Sequence, residues 1–269
     1  MAITTTSGFY NALTQKMRIK KNGLTATGTN LRPQSLWSAN GVPGAGTLAV
    51  GNTTTGVLFD DTYTGAPIIT DFVSGNTGYI KSGNMGQAST GSLWLYDRIW
   101  GVGAISLTSL ATTTFSSQPS YSGRLPTGAN YAVDVFIEMV TTASATATTV
   151  DVTYTNENGI NSRSFNQNNV SGFPNYRLTP LSLQNGDKGV QSIDSVTVGG
   201  TVATTGSFNI IVARRLAEFH SEVETLSDRQ NWDLLGMPQV FDTSCLWLVP
   251  FCAVDNSGPY VLNLEIING

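Results

Sequence analysis

YAVDVFIEMV at 131–140, followed across the small-residue segment TTASATATT at 141–149 by VDVTYT at 150–155, decides the fold class. In the first run Val133, Val135, Ile137 and Met139 alternate with Ala132, Asp134, Phe136 and Glu138, the period of two that belongs to a strand. In the second, Val150, Val152 and Tyr154 fall opposite Asp151 and Thr153. Together they predict a β-hairpin with one apolar face and one acidic face turned to water.

Working outward, further β-patterned runs are Leu93–Ile99, Val190–Val198, Phe208–Ala213, Cys245–Val254 and Tyr260–Ile267. Between them stand Asn-Gly pairs at 22–23, 40–41, 158–159 and 185–186, each able to reverse the chain tightly. Short strands at this spacing, without crossover helices, predict an all-β antiparallel sandwich or barrel and exclude a parallel α/β sheet. The pair CLWLVPFCAV and YVLNLEII, joined by DNSGP, reads as strands buried on both faces. Pro250, which has no N–H for a ladder, needs a sheet edge or a bulge there. Residues 214–235 depart from this pattern, because Leu216, Phe219, Val223 and Leu226 recur at spacings of three and four. An amphipathic helix fits them, and so does an extended irregular connection.

Charge divides the chain. Residues 1–59 carry five cations, Lys16, Arg18, Lys20, Lys21 and Arg32, and no acid; the other nine cations and all 18 acids follow, leaving −9 in residues 60–269. This predicts a basic, turn-rich N-terminal arm over 1–59 and a β-sandwich body over 60–269. Only 12% of residues are charged, yet 40% are hydrophobic, so the composition is low in charge without being that of a disordered chain. Five Trp, nine Tyr and eleven Phe suffice for a sizeable core. The net charge of −4 argues against non-specific attraction of the body to nucleic acid. No run of about 18 apolar residues suggests a membrane span.

Motifs for chemistry are scarce. His220 is the single histidine, so any Ser-His-Asp or Cys-His arrangement would have to use it, and no Gly-x-Ser-x-Gly elbow is present. Cys245 and Cys252 are seven positions apart; on one strand they would point to opposite faces, which argues against a disulfide between them. They read as small buried hydrophobes. One His and two Cys cannot build a tetrahedral zinc site, and the aspartates do not reproduce an EF-hand loop. The glycine clusters at 41–51 and 75–91 lack the Lys-Ser/Thr ending of a phosphate loop and read as surface loops. Trp94, Tyr96 and Trp247 suit either a core or a sugar platform. Tyr63, Tyr79 and Tyr121 would support glycan binding if they stood at loop tips. The expectation is a protein without catalytic, metal or cofactor residues.

Five blocks, in order, carry a resemblance: Ser35-Leu36-Trp37; Gly41-Val42-Pro43-Gly44-Ala45-Gly46; LWLYDRIWGVGAISL at 93–107; RLTPLSLQNGDKGVQSIDSVTVGGTVATTGSFNIIVARRLAEF at 177–219; and MPQVFDTSCLWLV at 237–249. The chain resembles tailed-bacteriophage virion structural proteins, in particular head decoration (cement) proteins. It departs from the expected Arg-Pro-Leu-Ala turn at Arg214-Arg215-Leu216-Ala217. The resemblance implies a jelly-roll-like sandwich, bound as a homotrimer to the major capsid protein on the outer surface of the phage head and assembled in the host cytoplasm. Its task would be to stabilise the head against internal pressure, without a reaction, direct nucleic-acid contact or a membrane. Within the arm, Lys16, Arg18, Lys20, Lys21, Arg32 and Trp37 are the expected capsid contacts, Trp37 being either an anchor or part of the protein's own core. Other capsid, tail or fibre roles, or a receptor- or carbohydrate-binding module, are the alternatives.

Overall fold

The computed structural model describes residues 5–12, 14–24, 32–73, 77–88, 90–165, 168–221, 227–252 and 258–269. A short helix α1 (Thr6–Asn11) precedes β1 (Thr14–Lys21), β2 (Gly41–Val42), β3 (Asn52–Leu58), β4 (Gly78–Gln87), β5 (Gly91–Ser106) and β6 (Thr112–Thr114). Then follow β7 (Asp134–Thr141), β8 (Thr148–Asn156), β9 (Arg163–Ser164), β10 (Asn168–Asn169), β11 (Leu178–Leu181) and β12 (Val190–Gly200). The chain ends with β13 (Ser207–Ser221), β14 (Ser227–Asn231), a single turn α2 (Trp232–Leu235), β15 (Gln239–Val240), β16 (Leu246–Cys252) and β17 (Tyr260–Asn268).

These strands form three antiparallel sheets. Sheet 1 has the order β14-β4-β17-β1-β2 with β15 also on β4; sheet 2 is β11-β7-β13-β5-β16 with β3 also on β5; sheet 3 is β10-β8-β12-β6 with β9 also on β8. Sheet 2 is the common partner, because its strands β5 and β13 run 16 and 15 residues. Leu93, Leu95, Ala217 and Phe219 from one end of that pair pack with Met17, Ile19, Ile80, Leu262 and Leu264 of sheet 1. Ile99, Val102, Ile210 and Val212 from the other end pack with Val152, Tyr154, Ile193 and Val196 of sheet 3. Register shifts between Val212 and Ala213 and between Arg215 and Ala217 lie where one core gives way to the other. Such bulges re-aim side chains within one continuous strand. The all-β, sandwich-like, jelly-roll-like expectation therefore holds.

A third cluster gathers Trp37, Phe59, Tyr96, Phe136, Ile211 and Trp247 around sheet 2. Its centre is ionic. Arg98 and Glu138, both with side chains fully buried, meet in a two-pronged bond, Nη1 to Oε1 at 2.9 Å and Nη2 to Oε2 at 2.8 Å. Ser35 Oγ and Asn209 Nδ2 donate to the remaining lone pairs of the carboxylate at 2.5 and 2.8 Å. The guanidinium lies 4.5 to 5.1 Å from the ring centres of Phe59, Trp37 and Trp247. Next along β5, Asp97 accepts from Arg124 Nη2 at 2.7 Å, Ser244 Oγ at 2.7 Å and the Cys245 amide at 2.9 Å. Two adjacent charges in a buried strand are tolerable because each has charged and hydrogen-bonding partners.

Several expectations change. The 131–155 segment is not a hairpin: β7 pairs with β13 and β11, whereas β8 pairs with β12, β10 and β9. The two apolar faces do meet, but across the sandwich rather than side by side, since Val135, Ile137 and Met139 share one core with Val150, Val152 and Tyr154. Nor does the other face of β7 look wholly to water: Asp134 is exposed, while Phe136 and Glu138 are buried. Likewise β16 joins β5 and β17 joins β4 and β1, so the C-terminal pair divides between two sheets.

The helix fitted to 214–235 is a strand through Ser221, and Leu216 and Phe219 are buried in β13; Val223 and Leu226 lie outside the described residues. Leu216 and Phe219 stay on the same side of a strand despite odd spacing because of the Arg215/Ala217 irregularity. Pro250 does sit on the outermost strand of the sheet 2 order, where its carbonyl accepts from the Gln34 amide at 3.1 Å. Cys245 and Cys252 form no disulfide, are buried and lie in different core clusters.

Candidate functional site: the outer face of sheet 1

Among the described residues of 1–59, β1 and β2 are built into sheet 1. β1 is an inner strand of sheet 1, paired with β17 from Thr14↔Ile267 to Lys21↔Tyr260 and with β2 at its end. Its sequence, TQKMRIKK, alternates for that role: Met17 and Ile19 are buried while Lys16, Arg18 and Lys20 are exposed. A boundary at residue 59 would fall between strands hydrogen-bonded in one sheet, β1 on one side of it and β17 on the other.

The three exposed cations of β1 each head a cross-strand row. Arg18, Asn263, Asn84 and Arg229 are successive register partners on β1, β17, β4 and β14. The adjacent row reads Lys16, Glu265, Ser82 and Asn231, and the one on the other side runs from Lys20 through Val261 to Gly86. A shallow depression of about 340 Å³ opens among Lys16, Arg18, Asn84, Arg229, Asn263 and Glu265. Four cations and one carboxylate therefore share these rows. Lys16 lies 3.9 Å from Glu265, with its side chain 80% exposed, so that pair contributes little and leaves the amine available to a partner. Asn84 and Asn263 add amide groups that both donate and accept. The face is positively charged, hydrogen-bonding and fixed by strand geometry, which suits recognition of an acidic surface.

The other sequence-selected contacts differ in character. Trp37 is 2% exposed; its indole N–H donates to the Thr47 carbonyl at 3.0 Å, and its ring faces Arg98. Gly46 packs so closely on it that a β-carbon there would stand 2.5 Å from Nε1, which explains one glycine of the 41–51 cluster. Trp37 is part of the protein's own core. Arg32 is exposed, away from the rows, near Arg177, whose pKa is drawn down to about 10 by burial and then by Arg32.

Lys21 also turns inward. It is 2% exposed and donates to the carbonyls of Ala39, Pro43 and Gly44 at 3.3, 3.0 and 2.9 Å, closing the loop after β1. Burial outweighs these acceptors and lowers its pKa to about 8. Between pH 8 and the ordinary 10.5 the unfolded chain binds the proton that the folded chain has released, so this group makes stability rise with pH across that window. Below pH 8 its burial cost is fully present. Urea unfolding of the parent and of Lys21→Met at pH 7, 9 and 10 should show the parent gaining on the variant as pH rises; parallel curves would refute the assignment.

Trp247 and Tyr96 are buried and Trp94 is half-buried, stacked on Phe251 with an interplanar angle of 8°. Tyr121 is buried and Tyr79 half-buried, leaving Tyr63, 37% exposed, as the one outward ring of the three expected at loop tips. His220 Nδ1 is 3.2 Å from Ser92 Oγ, but Asp228 accepts from the His220 backbone amide rather than its ring. Burial pushes the Cys245 thiol well above its usual range, the reverse of activation. Among the described residues no three His, Cys, Asp or Glu side chains converge as a metal site would require.

What the sequence missed was Arg229. It sits in a charge-dense segment without a strand pattern, and only the pairing of β14 with β4 brings it beside Asn84.

No known protein family matches this chain, and no curated protein matches it. Among solved structures, the VP2 subviral particle of infectious bursal disease virus is similar over 96% of this chain and 80% of that one, at 9% identity and a TM-score of 0.19. Overlap at that score carries no argument about fold or function.

Proposed function

We propose that this chain is a non-enzymatic virion structural protein, and within that class a decoration (cement) protein that binds the outer shell of a phage head and stabilises it against internal pressure. The observation that carries the reading is the outer face of sheet 1, where Lys16, Arg18, Lys20 and Arg229 are presented by three adjoining rows of a rigid sheet. The ordered blocks that resemble cement proteins supply the class of partner, the major capsid protein. A homotrimer on the head would repeat the same face by symmetry, so contacts of about 0.2–1 kcal/mol each add up over copies. Shell opening then requires several weak contacts to break together, and occupancy by mass action favours the closed state.

The test is binding of the purified protein to undecorated shells over a series of salt concentrations. Replacing Lys16, Arg18, Lys20 and Arg229 by Gln should weaken occupancy and flatten its dependence on ionic strength, because the screened charge is gone. Occupancy and salt profile identical to the parent's would eliminate this face as the contact. Absence of binding by the parent itself would eliminate decoration.

A further inference from the structure

Beside the basic rows stands an aromatic patch that the charge pattern does not account for. Phe9 of α1 and Trp232 of α2 meet edge to face, with ring centres 5.6 Å apart and planes inclined at 67°. Lys81 Nζ lies 5.1 Å from the centre of the Phe9 ring. Trp232, at the start of the single turn α2, is 46% exposed. The patch is continuous with the basic face: Asn231, immediately before Trp232, is the register partner of Ser82, which pairs in turn with Glu265 and, beyond it, Lys16.

We propose that Phe9 and Trp232 form, with Lys16, Arg18, Lys20 and Arg229, one docking surface for an acidic polypeptide segment bearing an apolar side chain. The patch takes the apolar group and the rows take the carboxylates. This inference rests on the reading of the face as a partner-binding surface and specifies what the partner presents. An exposed tryptophan flanked by cations and amides has the composition of an interface centre with a polar rim.

Three other occupants fit less well. A sugar ring wants a flat aromatic platform, whereas these planes are inclined at 67°. A single-stranded nucleic acid wants open ring faces in a cationic groove; here Lys81 sits over Phe9, Glu265 interrupts the cations, and the chain as a whole carries −4. A second copy meeting this one through a two-fold axis would bring the same cations face to face.

Two synthetic peptides of equal length and equal negative charge distinguish these cases, one of Glu, Ser and Gly alone and one with a central Phe in place of Gly. Titrated into the isotopically labelled full chain, the Phe peptide should bind about tenfold tighter, a difference of about 1.4 kcal/mol, and shift the Trp232 indole N–H resonance. Trp232→Ala should reduce that preference while leaving the plain acidic peptide bound, and Trp232→Phe, which keeps an aromatic ring at that position, should retain most of it. Lys16→Glu, Arg18→Glu, Lys20→Glu and Arg229→Glu combined should abolish binding of both. Equal affinities for the two peptides would overturn the proposal. So would displacement of the Phe peptide by a thymidine oligonucleotide or a glycan, or a concentration-dependent self-association that Trp232→Ala removes. No shell is present in the assay, so shells that bind while the peptides go undiscriminated would defeat this inference alone, leaving decoration standing.

Discussion

An Arg98→Met chain should be less stable than the parent by about 3–5 kcal/mol, read as a lowered urea midpoint with an unchanged slope. Among the described residues the guanidinium is the one cation bonded to Glu138, which has no exposed surface and also receives Ser35 and Asn209. Methionine fills much of the space between Trp37, Phe59 and Trp247 but strands a carboxylate in the interior, and the chain must either protonate it or open to hydrate it. The double replacement Arg98→Met with Glu138→Leu removes both charges. It should therefore be more stable than Arg98→Met alone, even though Ser35 loses an acceptor, because Asn209 keeps the Leu48 carbonyl at 2.8 Å. A double variant no better than the single would mean that packing and hydrogen bonds, rather than the uncompensated charge, set the cost.

Deleting residues 1–34 should prevent folding altogether instead of releasing a soluble body. The deletion removes β1, whose eight residues are paired with β17, and takes Met17 and Ile19 out of the sheet 1 core at about 1.5–3 kcal/mol each. It also removes the Lys21 ammonium that ties together three carbonyls of the following loop. β17 would then offer an unpaired apolar edge to other chains. Losses of this size reach the whole stability of an ordinary domain. Trimming only residues 1–12, which takes α1 and leaves every strand, should in contrast yield soluble protein with the parent's β content by circular dichroism. A cooperative thermal transition in the 35–269 fragment would show that sheet 1 can close without β1.

Fold class was legible because alternation is a local property. Val133 to Met139 and Val150 to Tyr154 declare strands wherever their hydrogen-bonding partners are. Pairing is a property of the whole chain, and the same alternation is satisfied by neighbours in one sheet or by opposed faces of two; the structure takes the second course. Leu216 and Phe219 misled for a related reason, since a bulge in a strand imitates helical spacing over a few residues. For the site, the run KMRIKK disclosed its cations, and its alternation disclosed which three face out once β1 was known to be a strand. Lys21 and Trp37 could not be sorted that way. Their burial depends on Ala39, Pro43, Gly44, Gly46 and Thr47, loop residues whose closeness is created by the turn after β1. Glu138 looked like a water-facing acid because its partner, Arg98, is forty residues away on a strand that does not adjoin its own.

The long strands β5 and β13 have a further consequence for a molecule that would serve under load. Because each belongs to both cores, disturbing one core is expected to disturb the other, and a pull on the cationic face would pass through the apolar side chains packed between sheets 1 and 2 before reaching the far sheet. If the proposed role is right, detachment from the shell is the expected failure, ahead of any separation of the two cores.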